Sequence, residues 1–529
     1  MTVIVPDMEG SLSAIGKQYF YRKHGFTADV ARKYITFMHD TGGDPGTEKI
    51  SSTVAEIRYR ECILPAFSQP AHIRGEGKII ATAEKDGDPY PCIVDNGVDT
   101  IIGFDPFFTM GFSLSGQLEP IWKRMGKEKE KYTRVSFVDV YSDILFAALC
   151  RAFGREGMPL VFKSFWPEGK KFAVCLTHDV DEIRKTYQWV TYPSRMVRKK
   201  DFQGLKNQYR SLKQKMKGIE PFWTFPGLLA LERELNVRSS FYFLHERGKV
   251  KILDPATWRH LGRRYSPEDP RVASLIRSLH DGGWEVGLHG SFYSFRDPEM
   301  IRNEKGALEH VLGSKIQGIR QHNLNLAVPD TWQYQAEVGL TYDTTLGFND
   351  TVGFRWGTCF PFRLYNYTKN RPIDLLEIPL VMEEIALFKK NDYNSQSLLI
   401  ESEVQRVRGV LTLLWHPGVM NQYEFPGWGE FYEGIIRRCI QGNAWITHGA
   451  AITDWWKKRE QLPLRWSYHD HALTIDTNPI ESGYFDIVLP SALTIENITG
   501  ATILIRDRNA VTIRAAPGDS GRIRIDLEG

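Results

Sequence analysis

The chain has 529 residues, 42% hydrophobic and 25% charged, a composition that excludes a disordered or fibrous protein and a length that exceeds one ordinary core. A formal net charge of +3 supplies no overall basic field, so no nucleic-acid partner is expected. Residues 1–16 hold acidic side chains and a proline where an export signal needs a basic start and an apolar run, and no stretch nears the roughly 18 apolar residues of a transmembrane helix, so the expectation is a cytoplasmic protein.

Residues 1–165 mix short apolar runs, such as Cys92-Ile93-Val94 and Thr100-Ile101-Ile102, with a helical pattern from Tyr141 to Phe153. This reads as an α+β region with a structural or substrate-presenting role. The six cysteines, with no C-x-x-C pair among them, read as free thiols. From 166 to 461 the text alternates a short apolar strand with a helical stretch about eight times, the pattern of a parallel (β/α) barrel. Expected strands are 172–179, 239–245, 284–289, 316–322, 340–345, 375–382, 410–416 and 444–448. Ser266-Pro267 reads as a helix start and Gly282-Gly283 as its stop. Nine lysines and arginines crowd residues 195–217; such a run is ordinarily a solvated helix face, and the alternative is peripheral contact with an anionic lipid headgroup or a charged glycan. Residues 462–529 alternate in four short runs and read as a small β-sandwich.

Barrel enzymes carry their chemistry at the C-terminal ends of the strands. Asp179, His289, His322, Asp343 and His416 all fall at or just past such ends. In Leu176-Thr177-His178-Asp179-Val180-Asp181 the two aspartates are two apart, so one strand face presents both, and two carboxylates suit a divalent metal plus a general base. Aspartate is also common at caps and turns, so the segment alone does not decide.

These segments together resemble the polysaccharide-deacetylase superfamily (the NodB-homology domain, carbohydrate esterase family 4) over residues 172–459, in a branch with a His-Asp-Val-Asp first motif. The resemblance implies a deformed (β/α) barrel and a metal-dependent hydrolase that removes an acetyl group from the nitrogen of an amino sugar. The family's first motif is Thr-Phe-Asp-Asp, base then ligand. Thr177, His178 and Asp179 match its start, Val180 cannot ligate, and Asp181 is the substitute, which leaves the two aspartates' roles exchangeable. The family's paired histidines stand four apart; His289 matches the first, and Tyr293 occupies the second position. In Gly318-Ile319-Arg320-Gln321-His322, Arg320 matches the arginine that orients the base, and His322 replaces a proline. The implied set is therefore Asp181, His289 and His322 on a divalent metal, zinc by default, with Asp179 as base, Arg320 beside it and His416 as general acid. Tyr293, Asp343, Arg355, Trp356 and Trp415 are candidates for sugar contact. Two other readings remain: an amidohydrolase acting on a non-sugar amide, and a catalytically weakened glycan-binding or scaffolding protein.

Overall fold

The structure is a computed structural model and describes residues 2–7, 10–25, 33–39, 54–246, 258, 263, 265–477, 483–506, 510–515 and 521–528. In the N-terminal region, parallel pairs join Val3–Asp7 to Ile35–His39 and to Thr100–Ile102, and antiparallel pairs continue through Asp88–Asp95, Lys78–Lys85, Ala55–Tyr59 and Cys62–Ala66. The two apolar runs read from sequence are neighbours in this sheet. Their turn is made by Asn96, whose side chain accepts from the amides of Val98 and Asp99. The helix Phe137–Arg155 extends beyond the expected span at both ends and buries its apolar stripe.

A second sheet curls through the middle of the chain. Its order is Phe362–Asn366, Arg371–Glu377, Tyr342–Asp343, Gly318–Gln321, Glu285–Gly290, Ser240–Leu244, Phe172–Val180, Val410–Leu414 and Met382–Glu383. Apart from the antiparallel Phe362–Asn366 edge, every pairing is parallel. The sheet begins and ends with segments close in the chain, yet among the described residues Arg371–Glu377 and Met382–Glu383 do not pair, so the ring keeps a seam. The strand expected at 444–448 does not complete the ring. Ala444–Thr447 pairs with the first half of Phe172–Val180, and Ser240–Leu244 pairs with the second half. The two share one edge because Phe172–Val180, at nine residues, is long enough to serve both. All nine of its residues are buried, as a strand covered on both faces requires.

The helix read from Ser266-Pro267 starts one turn later, at Pro270, because Asp269-Pro270 supplies the same chemistry: the Asp269 carboxylate caps the Arg271 amide at 3.0 Å and proline fills the first turn. Gly282 ends it as expected.

The last region is two four-stranded antiparallel sheets around Leu473, Ile475, Phe485, Ile487, Ile513, Ile523 and Ile525. One of its strands comes from before the barrel: Leu160–Lys163 pairs with Tyr484–Val488. The six cysteines are free thiols, and no described helix is long and apolar enough to cross a membrane.

The loop at 353–361 locks the N-terminal region to the barrel. Glu119 accepts two bonds from the Arg355 guanidinium, at 2.8 and 2.9 Å, and one from Trp356 Nε1 at 2.6 Å. Phe354 donates to the Thr133 carbonyl at 2.7 Å. Gly353, at φ 136°, permits this approach, since a Cβ there would lie 2.3 Å from the same carbonyl oxygen. Buried Asp139 accepts from the Cys359 amide at 3.0 Å.

Candidate metal centre

Four strands of the curled sheet end at one place. Residues alternate along Phe172–Val180, so Thr177 and Asp179 point inward and His178 points away, where Glu232 and the Trp415 carbonyl hold it at 2.9 and 2.5 Å. Asp181 lies just past the strand. His289 ends the next strand but one, and His322 follows Gly318–Gln321. After His322 the chain reverses through Asn323 and Leu324, both with positive φ. Packing of Leu324 against Leu380 and Leu414 holds that turn in place.

Asp181, His289 and His322 each offer an atom within 4.8 Å of the other two. His289 Nε2 lies 3.1 Å from Asp181 Oδ1, and His322 Nε2 lies 3.8 Å from Asp181 Oδ2. Both imidazoles are buried, and the Asp181 side chain is 23% exposed, so the set is enclosed on one side and open on the other. That is the form of a catalytic rather than a closed structural metal site.

The residues fit a cation for a reason internal to the structure. Buried His322 Nε2 has no hydrogen-bond partner, and Asp181 Oδ1 meets only the neighbouring His289 ring; an orphaned buried polar atom is a costly group to leave unpaired. The other ring nitrogens are committed: His289 Nδ1 meets the Arg320 carbonyl at 2.9 Å, and His322 Nδ1 meets Glu246 Oε2 at 2.8 Å. Such partners orient both rings and aim both Nε2 atoms at Asp181. The metal-free electrostatics agree. Burial favours the neutral acid of Asp181, yet His322 and His289 hold its carboxyl well below the ordinary range. Burial disfavours protonated His289, but Asp179 and Asp181 carry its pKa above the ordinary value. A cation binding here would displace that proton.

Asp179 is nearly buried beside the centre. Its Oδ1 accepts from Arg320 Nη1 at 2.9 Å, and its Oδ2 lies 3.6 Å from His289 Nε2. Fully buried Arg320 is fixed by Thr177 Oγ1 at 2.8 Å, Thr344 Oγ1 at 3.1 Å and the Thr344 carbonyl at 3.0 Å. The guanidinium therefore holds one carboxylate oxygen and leaves the other toward His289. His416 follows Val410–Leu414. Its Nδ1 lies 2.6 Å from Glu384 Oε1, which leaves Nε2 for the site, and the side chain is 17% exposed. Burial alone would lower its pKa, but Glu384, with Asp181 and Asp179, raises it to about 10.

Of the residues proposed for sugar contact, Asp343, Arg355, Trp356 and Trp415 are engaged with other groups of the protein. Asp343 is fully buried and accepts from Trp332 Nε1, Gln335 Nε2 and the Thr345 hydroxyl at 3.0, 3.1 and 2.6 Å. Arg355 and Trp356 are taken up by Glu119. Trp415 is fully buried among Phe388, Phe431 and Tyr432. Asp343, Trp356 and Trp415 belong to the interior because loops in this barrel are covered by the N-terminal region or by neighbouring helices. Tyr293 is 70% exposed on the loop after His289. The second imidazole beside Asp181 comes from His322, after a different strand, and not from the position four after His289.

Sequence reasoning missed Glu246 and Glu384, the carboxylates that aim His322 and His416. Both sit just past a barrel strand, after Ser240–Leu244 and after Met382–Glu383, and that position was the available signal. Glu246 has its pKa taken down to about 2, where burial is outweighed by His322 and Arg263. Replacing it with glutamine removes the negative partner of the His322 ring and is expected to weaken divalent-ion affinity about 10–100-fold, read by calorimetric titration. Unchanged affinity would deny Glu246 that role.

No family model matches the sequence, and no curated protein matches it. Among solved structures the chain is similar to a protein assigned as a polysaccharide deacetylase from Mycobacterium smegmatis, at 20% identity and TM-score 0.37, over 58% of this chain and 98% of that one. It is similar to a CE4 family pseudoenzyme from Bacillus anthracis at 10% identity and TM-score 0.27, over 54% of this chain and 66% of the other. A family 4 acetyl xylan esterase from Clostridium thermocellum, in complex with a cobalt ion, is similar at 14% identity and TM-score 0.26, over 54% and 91% of the two chains.

Proposed function

We propose that the chain is a metal-dependent hydrolase that removes an acetyl group from the nitrogen of an amino sugar in a glycan or glycan precursor. The observation that carries this reading is the clustered Asp181, His289 and His322 set, in which buried His322 Nε2 has no hydrogen-bond partner, flanked by the Asp179–Arg320 pair and the His416–Glu384 pair. Asp181, His289 and His322 would hold a divalent cation, zinc in this proposal, which when bound supplies positive charge for polarising the acyl carbonyl and an adjacent water.

The protein's own groups divide the proton work. Arg320 holds Asp179 Oδ1, so Oδ2 is the atom that takes a proton from the attacking water. His416 is protonated at neutral pH, with Nδ1 tied to Glu384, so Nε2 is the atom that delivers a proton to the departing nitrogen. Without that delivery an amine is a poor leaving group. The surrounding burial strengthens each of these interactions by excluding water.

The sugar itself rests on the motif resemblance. Purified, metal-loaded protein is expected to release acetate from N-acetylglucosamine oligomers and not from linear amides or ureides. Release from the linear amides alone would transfer the reading to a non-sugar amidohydrolase, and release from neither would sink it.

A further inference from the structure

Between Asp181 and Ser240–Leu244 the chain makes two helices, Gln188–Lys199 and Phe202–Met216, the second of which packs on the segment that follows His416. The second has its polarity reversed. At 100° per residue, Phe202, Leu205, Tyr209, Leu212 and Met216 fall within roughly 80° of arc. This apolar stripe is the face turned to solvent: Phe202 and Met216 are each 79% exposed, and Tyr209 is 58% exposed. The buried face is polar instead. Gln208 and Ser211 both donate to Glu424, the Lys185 ammonium joins Gln208 and Glu424, and Asn421 donates to Gln214.

A stripe of this kind on a soluble surface calls for a partner, and the charge beside it specifies one. Lys206, Arg210, Lys213 and Lys217 are exposed and lie along one flank of the stripe. Residues 190–219 carry nine basic side chains against one acidic one, a formal +8 in a chain whose total is +3. Val190 and Val197 of the preceding helix add exposed apolar surface, at 60% and 62%. An apolar face bordered by lysine and arginine matches the layered chemistry of an anionic bilayer, whose phosphates lie above its acyl chains.

We propose that this helical pair docks flat on an anionic phospholipid surface, with the stripe Phe202–Met216 in the headgroup region. Glu424 and Asn421 lie shortly after His416 in the chain, so the polar underside of the anchor rests on a loop of the catalytic end. Docking therefore sets that end of the barrel at the membrane. It does not depend on the chemistry proposed for the metal centre.

The test is sedimentation of the full chain with vesicles of phosphatidylcholine containing about one-third phosphatidylglycerol, against phosphatidylcholine alone. Binding is expected only to the anionic vesicles and should weaken at about 0.5 M salt. The triple variant Phe202→Ser, Leu212→Ser, Met216→Ser and the triple variant Lys206→Glu, Arg210→Glu, Lys213→Glu should each lose binding about tenfold or more. All six positions are exposed, and an unchanged melting temperature and metal content would show that the variants are folded. Failure of the wild-type chain to bind would overturn the proposal. So would charge-reversal loss without any loss in the apolar variant, which would identify a polyanion instead, or a concentration-dependent dimer abolished by the serine variant.

Discussion

Asp179→Asn is expected to lower acetyl release by about 10²–10⁴-fold while metal content stays at the wild-type level. The asparagine keeps an oxygen for Arg320 Nη1 and the side-chain shape, but it has no site that takes a proton from water. The same change has a structural effect. Arg320 is fully buried, and Asp179 is the carboxylate within hydrogen-bond distance of it among the described residues. Leaving a buried guanidinium without its counter-charge costs about 3 kcal/mol, so a lower melting temperature should accompany the rate loss. Full activity in the folded variant would remove Asp179 from the mechanism. Asp181→Asn separates the two carboxylates: if Asp181 is the ligand, its loss removes metal as well as rate.

His416→Asn is expected to cost a comparable factor, about 10²–10⁴ in kcat, with substrate affinity and metal content little changed. The pH profile identifies the role. The acid form is the active one, and the folded-state pKa is about 10 against an ordinary 6.5, so the alkaline limb of kcat should lie well above neutrality. Glu384→Gln removes the main group raising that pKa and should move the limb to lower pH by about a unit or more. The sign for stability is the same. A histidine with a raised folded pKa contributes stability that is fully present below 6.5 and is lost as pH rises through about 10. A limb that stays in place in Glu384→Gln would contradict the assignment of His416 as the acid.

Much of this arrangement is legible in the sequence, for physical reasons. Strands buried on both faces read as continuous apolar runs, and a run that stops at a histidine or aspartate marks a C-terminal strand end. Strand ends therefore draw Asp179, His289, His322, Asp343 and His416 together, period-two alternation puts Asp181 on the same side as Asp179, and the motif resemblance implies Asp181, His289 and His322 as the ligand set. The β-sandwich was legible from alternation, but its extra strand, Leu160–Lys163, was not, since pairing with Tyr484–Val488 is a long-range event. The same holds for Ala444–Thr447, whose apolar run fixes its existence and leaves open which edge it joins.

Partners of the functional groups were the least legible. Glu246 and Glu384 carry no periodic signal, and only the folded sheet brings them to His322 and His416. Arg355 and Trp356 look like surface groups of a loop until the N-terminal region brings Glu119 to them. The basic run at 195–217 reads as an ordinary solvated face in one dimension. Its unusual feature is which face is buried, and the contacts of Gln208 and Ser211 are needed to see it.

The most direct test of the metal centre is elemental analysis of the purified full chain after equilibration with divalent ions and removal of the excess. The wild-type protein should retain about one equivalent, and His289→Ala and His322→Ala should each reduce affinity by more than the roughly 100-fold expected for loss of a supporting carboxylate. Retention of a full equivalent by both folded variants, or no retention by the wild-type chain, would contradict the assignment of Asp181, His289 and His322 as the metal-binding set.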